Sequence, residues 1–352
     1  MEDIKTDIKS LSLEELKAEM KKIGEKPFRA KQLYEWFHVK LARDYDEMTN
    51  ISKGLKEKLK SGYTYTALKI VEVQTSQIDG TKKYLFELAD KSLVESVWMQ
   101  YHHGNSVCIS SQVGCRMGCK FCASTIGGLE RGLTPSEMLD QIYAISKDTG
   151  ERVSNVVVMG TGEPLDNYDN LLKFITLLTD ENGLNISQRN ITVSTCGIVE
   201  NMRRLADEDL QITLALSLHG STQEKRRALM PIADKYDLDE VIAACQYYFE
   251  KTGRRITFEY SLVGGVNDME EDAENLCRLV SGLNCHINLI PVNLIKERDY
   301  TASQKKDVMR FKERLEKKHI NVTVRREMGR DIDGACGQLR RRHHISDHTS
   351  KI

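Results

Sequence analysis

Four cysteines fall between Val107 and Ser124, in the stretch V-C-I-S-S-Q-V-G-C-R-M-G-C-K-F-C-A-S. Cys115, Cys119 and Cys122 form a C-x3-C-x2-C group, and Cys108 stands seven residues upstream on a strand-like run. Thiolates bind soft metals, and close spacing on one loop lets several reach a single centre. A structural zinc takes four ligands, normally as two separated pairs, and no second pair follows at the usual distance. A four-iron cluster is ordinarily held by four cysteines. With three, one iron keeps an open position, which is useful only if a substrate or cofactor fills it. A zinc-stabilised, non-enzymatic fold stands as the alternative.

The other five cysteines, Cys196, Cys245, Cys277, Cys285 and Cys336, are scattered. A cysteine so placed is most often a small buried hydrophobe. Cys336 differs, because Gly334, Ala335 and Gly337 leave a permissive backbone and an unshielded sulfur around it. Arg325, Arg326 and Arg330 favour its thiolate, while Asp331 and Asp333 oppose it. The segment M-G-T-G-E-P, Met159 to Pro164, lacks both the lysine of a phosphate loop and the third glycine of a dinucleotide fingerprint.

The elements that must position these residues are legible as a pattern. L-S-L-E-E-L-K-A-E-M-K-K-I-G puts Ser12 at an N-cap, Glu15 three residues on and Gly24 at the stop. K-P-F-R-A-K-Q-L-Y-E-W-F predicts a second helix with Trp36 and Phe37 on its buried face, so residues 1–62 read as a small helical domain with basic outer faces. After Tyr63, alternation in T-K-K-Y-L-F-E-L and S-L-V-E-S-V-W-M-Q-Y predicts a β-hairpin.

From about residue 106 short β-rich segments alternate with helical ones. The expected strands are S-V-C-I-S-S, N-V-V-V-M-G, N-I-T-V-S-T-C-G, I-T-L-A-L-S-L-H-G, I-T-F-E-Y-S-L-V-G-G and H-I-N-L-I-P-V-N. Strands separated by helices imply a parallel sheet, either an open doubly wound one or a partial barrel. Polar and glycine-rich residues sit where each strand ends, at Gly160 to Glu163, Ser194 to Gly197, Ser217 to Gly220, and Asn293. That edge is where ligands bind in such architectures.

Lys plus Arg (51) nearly cancels Asp plus Glu (52), so a polyanion site has to be a local patch. The opening M-E-D-I-K-T-D-I-K has no apolar signal core, and L-L-K-F-I-T-L-L is far short of a membrane span. A cytoplasmic, monomeric protein without a membrane partner is expected.

C-x3-C-x2-C with Phe121 before its last cysteine resembles the signature of the radical S-adenosylmethionine (SAM) enzymes. S-x-C-I-S-S-Q-V-G-C, G-E-P-L, S-L-H at Ser217 to His219, D-I-D-G-A-C-G-Q-L at Asp331 to Leu339, and G-E-K-P-F-R-A-K-Q near the start together resemble the RlmN and Cfr family of radical SAM RNA adenine methyltransferases. The resemblance implies an α/β fold: a partial (β/α)6 TIM-like barrel with a helical N-terminal domain at 1–62, a β-hairpin linker at 63–100, a core at 101–335, and a catalytic-cysteine loop with a basic tail at 336–352. It implies one [4Fe-4S] cluster on Cys115, Cys119 and Cys122, and two SAM molecules per turnover. Gly162, Glu163, Ser194, Ser217, Leu218, His219 and Asn293 match positions that touch SAM.

The resemblance also implies a division of labour among the remaining thiols. Carbon 2 of adenine is electron-poor and cannot attack a methyl group as a nucleophile, so the family parks a methyl on a cysteine and activates it there. Cys336 matches that carrier. Cys108 matches the cysteine that ends in a transient disulfide with it, releasing the product, and Glu95 matches a proton acceptor. From spacing alone, Glu95 reads as a solvent-facing strand residue. The implied partners are 23S ribosomal RNA, tRNA and an electron donor such as a flavodoxin. The tail Arg340 to His344 and the N-terminal helices are candidates to grip phosphates. Val292-Asn293-Leu294 departs from the W-N-P frequent in the family, and Thr161 stands where methionine is common. Pro164 favours the adenine-C2 branch over the C8 branch.

Overall fold

The computed structural model describes residues 5–102, 104–292, 300–333 and 336–349, the last six of these by backbone alone. Asn293 lies outside the described residues, so its expected place at a strand end has no structural account.

The N-terminal helices are α1 (Leu13–Lys22), α2 (Phe28–His38) and α3 (Lys53–Gly62). The capping box at the start of α1 forms as expected: Ser12 Oγ accepts from Glu15 N–H, and the Glu15 carboxylate accepts from Ser12 N–H at 2.7 Å. Phe37 is buried, whereas Trp36 is only half-buried because its indole N–H reaches out to Asn50 Oδ1 at 2.6 Å. A parallel pair, β1 (Thr6–Asp7) with β2 (Tyr63–Thr64), ties the two ends of this region together.

Residues 63–100, read from the sequence as a hairpin linker, continue the core sheet. Strands β3 (Lys69–Thr75), β4 (Lys82–Glu87) and β5 (Leu93–Tyr101) run antiparallel, and β5 pairs antiparallel with β6 (Gly104–Ile109). A clip of β7 (Gln112–Gly114) and β8 (Leu129–Gly132) follows. The expected parallel strands then appear as β6, β9 (Val153–Val158), β10 (Ile191–Thr195), β11 (Thr213–Ser217), β12 (Ile256–Leu262) and β13 (Cys285–Pro291). A strand not anticipated, β14 (Asn321–Val324), adds a seventh, so the parallel unit is one longer than the (β/α)6 reading.

The sheet order is β14-β13-β12-β11-β10-β9-β6-β5-β4-β3. From β6 to β14 each strand joins beside the one before it, which is barrel winding; a doubly wound sheet would reverse direction at a switch point. Between strands lie α4 (Pro135–Thr149), α5 (Tyr168–Thr179), α6 (Val199–Ala206), α7 (Gln223–Leu229), α8 (Leu238–Thr252), α9 (Glu270–Leu279) and α10 (Lys305–Lys317), and α11 (Gln338–Thr349) ends the described chain. Their boundaries follow from local chemistry. α4 opens on a Thr134/Glu137 capping box with Pro135 in its first turn and closes on Gly150 at φ 70.

One apolar core runs through both the helical region and the barrel. At their junction Asp140 of α4, 1% exposed, takes Lys9 Nζ at 2.6 Å, Arg43 Nη1 at 3.0 Å and Leu68 N–H at 2.7 Å. Breaking such a buried pair from one side leaves an uncompensated charge, which makes the junction costly to open. No helix among the described residues is long and apolar enough to cross a membrane.

Candidate active site

The carboxyl ends of the parallel strands open onto one cavity of about 230 Å³. Cys115, Cys119 and Cys122 line it together with Gly162, Glu163, Ser194, Ser217 and His219. The cysteine loop is framed by β7 and β8, with Cys115 N–H donating to the Gly128 carbonyl at 2.9 Å. Gly114 has φ +75, and a Cβ there would stand 2.0 Å from Gly128 O, so only glycine lets the clip close.

Burial pushes all three thiols up, Cys115 to about 12; Cys122 adds to the rise at Cys115, and Cys122 and Cys115 add to it at Cys119. Three buried thiols that cannot ionise unaided suit a metal centre that supplies the compensating charge. The three thiols line one cavity, where a cluster could draw a ligand from each of them.

Glu163, which reads from sequence as an exposed turn carboxylate, is buried. Its Oε2 accepts from Cys196 N–H at 2.7 Å and its Oε1 from Leu165 N–H at 3.0 Å, while burial raises its pKa. Gly162, at φ +113, passes so close to β7 that a Cβ would stand 2.7 Å from Ser111 Oγ. Ser194 and Ser217 Oγ lie 3.4 Å apart at neighbouring strand ends. His219 has φ 53, accepts from Ser261 N–H through Nδ1 at 2.9 Å, and packs edge-on to Phe121. Burial, aided by Arg226, pushes its pKa to about 3, so it is a neutral imidazole with its proton on Nε2. Leu218 is buried in the core and is absent from the cavity wall; only its backbone serves the strand end, its N–H donating to Glu259 O at 3.0 Å.

Cys336 lines the same cavity, with Sγ 3.5 Å from the Met159 carbonyl oxygen. Its sulfur neighbours that of Cys108, a residue more than two hundred positions earlier. Both thiols are free. The hydrogen bond from Cys108 lowers Cys336, with Lys83 and Arg325 assisting against burial and Glu95, whereas the same bond and burial raise Cys108. The thiolate of the pair belongs to Cys336. Asp331 and Asp333, expected to oppose it, turn their carboxylates to Ser76 Oγ at 2.5 Å and Gln74 Nε2 at 3.1 Å.

Glu95 is 3% exposed, which corrects the solvent-facing reading. Its carboxylate is not on the cavity wall. It pairs with Lys83 at 2.9 Å and accepts from Gly337 N–H at 2.8 Å and from Arg340 N–H.

Two residues at the site, Glu259 and Arg226, escaped sequence reasoning. Glu259 lines the cavity and is held by Asn288 Nδ2 at 2.9 Å; a lone acid inside the apolar strand I-T-F-E-Y-S-L was a visible signal. Arg325, one of the three arginines expected to favour the Cys336 thiolate, lies on the wall as well. Arg226 is fully buried and donates to the carbonyls of Cys196 at 2.6 Å, Ser217 at 2.8 Å and Leu218 at 2.7 Å, clamping the ends of β10 and β11. Nothing in its sequence surroundings, Q-E-K-R-R-A-L, separates it from a solvated helix face.

Two family models match the chain: the Ribosomal RNA large subunit methyltransferase N-terminal domain over residues 6–64 and the Radical SAM superfamily over residues 109–280. The chain is 66% identical over 338 residues to a "Probable dual-specificity RNA methyltransferase RlmN" of Lachnospira eligens, covering 96% of this chain and 97% of that one. It belongs to the RlmN family of radical SAM RNA methyltransferases. A relative of the same description in Lachnoclostridium phytofermentans is 63% identical, covering 96% and 95% of the two chains. A radical SAM methyltransferase from Sphaerobacter thermophilus superposes with a TM-score of 0.91 at 40% identity, covering 95% of this chain and 98% of that one. As an RlmN-family enzyme of the radical SAM superfamily the chain uses a [4Fe-4S] cluster and SAM, and membership excludes the non-enzymatic zinc alternative.

Proposed function

We propose that this enzyme methylates carbon 2 of adenosine in RNA, in 23S ribosomal RNA and in tRNA, with Cys336 as methyl carrier and Cys108 as the thiol that releases the product. The observation that carries this reading is the pairing of the Cys108 and Cys336 thiols as neighbours beside a cavity walled by Cys115, Cys119 and Cys122. Relatives at 66% and 63% identity named for dual-specificity RNA methylation support the substrate classes.

The three cysteines would hold the cluster, and Gly162, Glu163, Ser194, Ser217 and His219 would hold SAM. When bound, this pair supplies a methyl cation equivalent in one round and a hydrogen-abstracting radical in the next. The chain's own residues do the rest. Cys336, held as thiolate by Cys108, Lys83 and Arg325, attacks as a nucleophile and becomes S-methylcysteine. His219, neutral across the working pH, presents an N–H donor and no charge to the cavity. Glu163 is fixed by two backbone N–H groups, so its carboxylate is pre-aligned for a cationic amine. After the methylene carbon has joined the base, the adduct loses its odd electron, for which the bound cluster would be the acceptor, and its ring proton, and the Cys108 sulfur attacks the Cys336 sulfur. The bond from that sulfur to the methylene carbon breaks, the carbon keeps the electron pair and takes a proton to complete the methyl group, and outside reductant returns the Cys108–Cys336 disulfide to thiols. Glu95 is the candidate proton acceptor, although Lys83 and two backbone amides occupy it here. An adenine in folded RNA has to be unstacked to reach this depth.

The test is nucleoside mass spectrometry of 23S ribosomal RNA and tRNA treated with the reduced enzyme and SAM, against 2-methyladenosine and 8-methyladenosine standards. The expected product is 2-methyladenosine from both RNAs. 8-Methyladenosine, or no methylated adenosine, would sink the assignment.

A further inference from the structure

Lys83 lies within β4 and is fully buried. A buried ammonium is tolerated only where acceptors meet it. Its Nζ is 2.9 Å from Glu95 Oε2 on β5 and 2.6 Å from the carbonyl oxygen of Asp333. The same Glu95 carboxylate accepts the N–H groups of Gly337 and Arg340. One cation therefore grips the chain on both sides of Cys336: directly at Asp333, and through Glu95 at Gly337 and the first turn of α11. No step described above uses Lys83 for anything beyond its charge. Gly337 explains why a grip is needed, because it packs against the cysteine loop so tightly that a Cβ would stand 2.7 Å from Ser124 N.

We propose that Lys83 is a positioning residue for methyl transfer: through the Glu95 carboxylate and the Asp333 carbonyl it fixes the Cys336 segment at the cavity. The assignment rests on Cys336 being the methyl carrier, but its test reads the thiol and the segment without reference to RNA.

The experiment uses the full-length, cluster-loaded protein with Cys336 verified as unmethylated by mass. Hydrogen exchange is followed at the amides of Gly337 and Arg340, and methylation of Cys336 by SAM is followed by peptide mass in a single turnover. Lys83→Met should speed exchange at both amides and slow Cys336 methylation severalfold while iron content stays at the parent's level. Lys83→Arg, which keeps the charged donor, should restore most of both. Where Lys83→Met does not fold, Lys83→Met with Glu95→Gln removes both charges together and should show the faster exchange. Native exchange with native Cys336 methylation in a folded variant would overturn the proposal. Faster exchange with RNA methylation unchanged would instead leave the grip standing and fault the methyl-carrier reading.

Discussion

Two walls of the cavity are built in opposite ways. The cysteine loop is closed mostly by its own neighbours: Gly114 against Gly128, Cys115 N–H on the Gly128 carbonyl, and Thr125 Oγ1 on the carbonyls of Cys119 at 3.2 Å and Cys122 at 2.9 Å. The Cys336 segment is closed by residues from the far end of the chain. Asp331 meets Ser76 and Gln77, Asp333 meets Gln74 and Lys83, Gly329 N–H meets Asp79, and Arg342 meets Glu72. The wall that holds the cluster is thus self-supporting, whereas the wall that carries the methyl group exists only once the first strands of the sheet have docked against the last segment. Radical generation and group transfer should then be separable by mutation.

The largest expected effect tests that separation. Cys119→Ser should lose the iron, read by metal content and absorbance, and with it all activity, yet leave hydrogen exchange across residues 329–333 as in the parent. Faster exchange there would mean that the two walls are not independent. Cys336→Ala should do the reverse, abolishing methyl transfer while reductive SAM cleavage continues. Cys108→Ala should stop one step later and accumulate a protein–RNA adduct on denaturing gels.

Glycine substitutions sharpen the contrast at lower cost. Gly114→Ala and Gly337→Ala each force a side chain into left-handed backbone, at φ +75 and +81, worth about 1–3 kcal/mol before any clash is counted. The first should lower cluster retention; the second should keep the cluster and lower transfer. Equal effects of both on iron content would erase the distinction.

A pH dependence should come from two buried histidines, His219 on the cavity wall and His38 away from both walls. Burial, aided by Lys9, pushes His38 to about 3 from 6.5, and its Nδ1 is 2.7 Å from Tyr143 Oη. The unfolded chain takes up the proton first, so this contribution is complete above the unfolded pKa and is lost as pH falls from about 6.5 toward 3. The melting temperature should drop over that window, and His38→Phe should flatten the slope. The smallest effect belongs to Asp331→Ala, which removes one exposed latch and should speed hydrogen exchange across residues 329–333 severalfold without changing the melting temperature.

The difference between the walls also explains what could be read in advance. The six strands from Val107 onward, the three cluster cysteines, Gly162, Glu163, Ser194, Ser217 and His219 carry their signal in local spacing and in strand-end position, and the fold brings them to one cavity. β14 escaped because N-V-T-V is four residues long and largely exposed, behind a lysine-rich helix. Alternation along β5 sends Glu95 to a face that looks solvent-exposed until α11 and Lys83 cover it. Lys83 and Arg226 are written in lysine- and arginine-rich text, where a buried cation is indistinguishable from a solvated one; only their partners reveal them. The Cys108–Cys336 contact follows from the family resemblance and from no local pattern, since the chain between them holds nearly the whole barrel.

That span matters during synthesis. Parallel strands β6 to β14 can add to the sheet in the order in which they leave the ribosome. The thiol pair cannot form until residues beyond Asp333 have emerged, more than two hundred positions after Cys108. A nascent chain can therefore complete the cysteine loop well before its methyl-accepting sulfur comes to lie beside it.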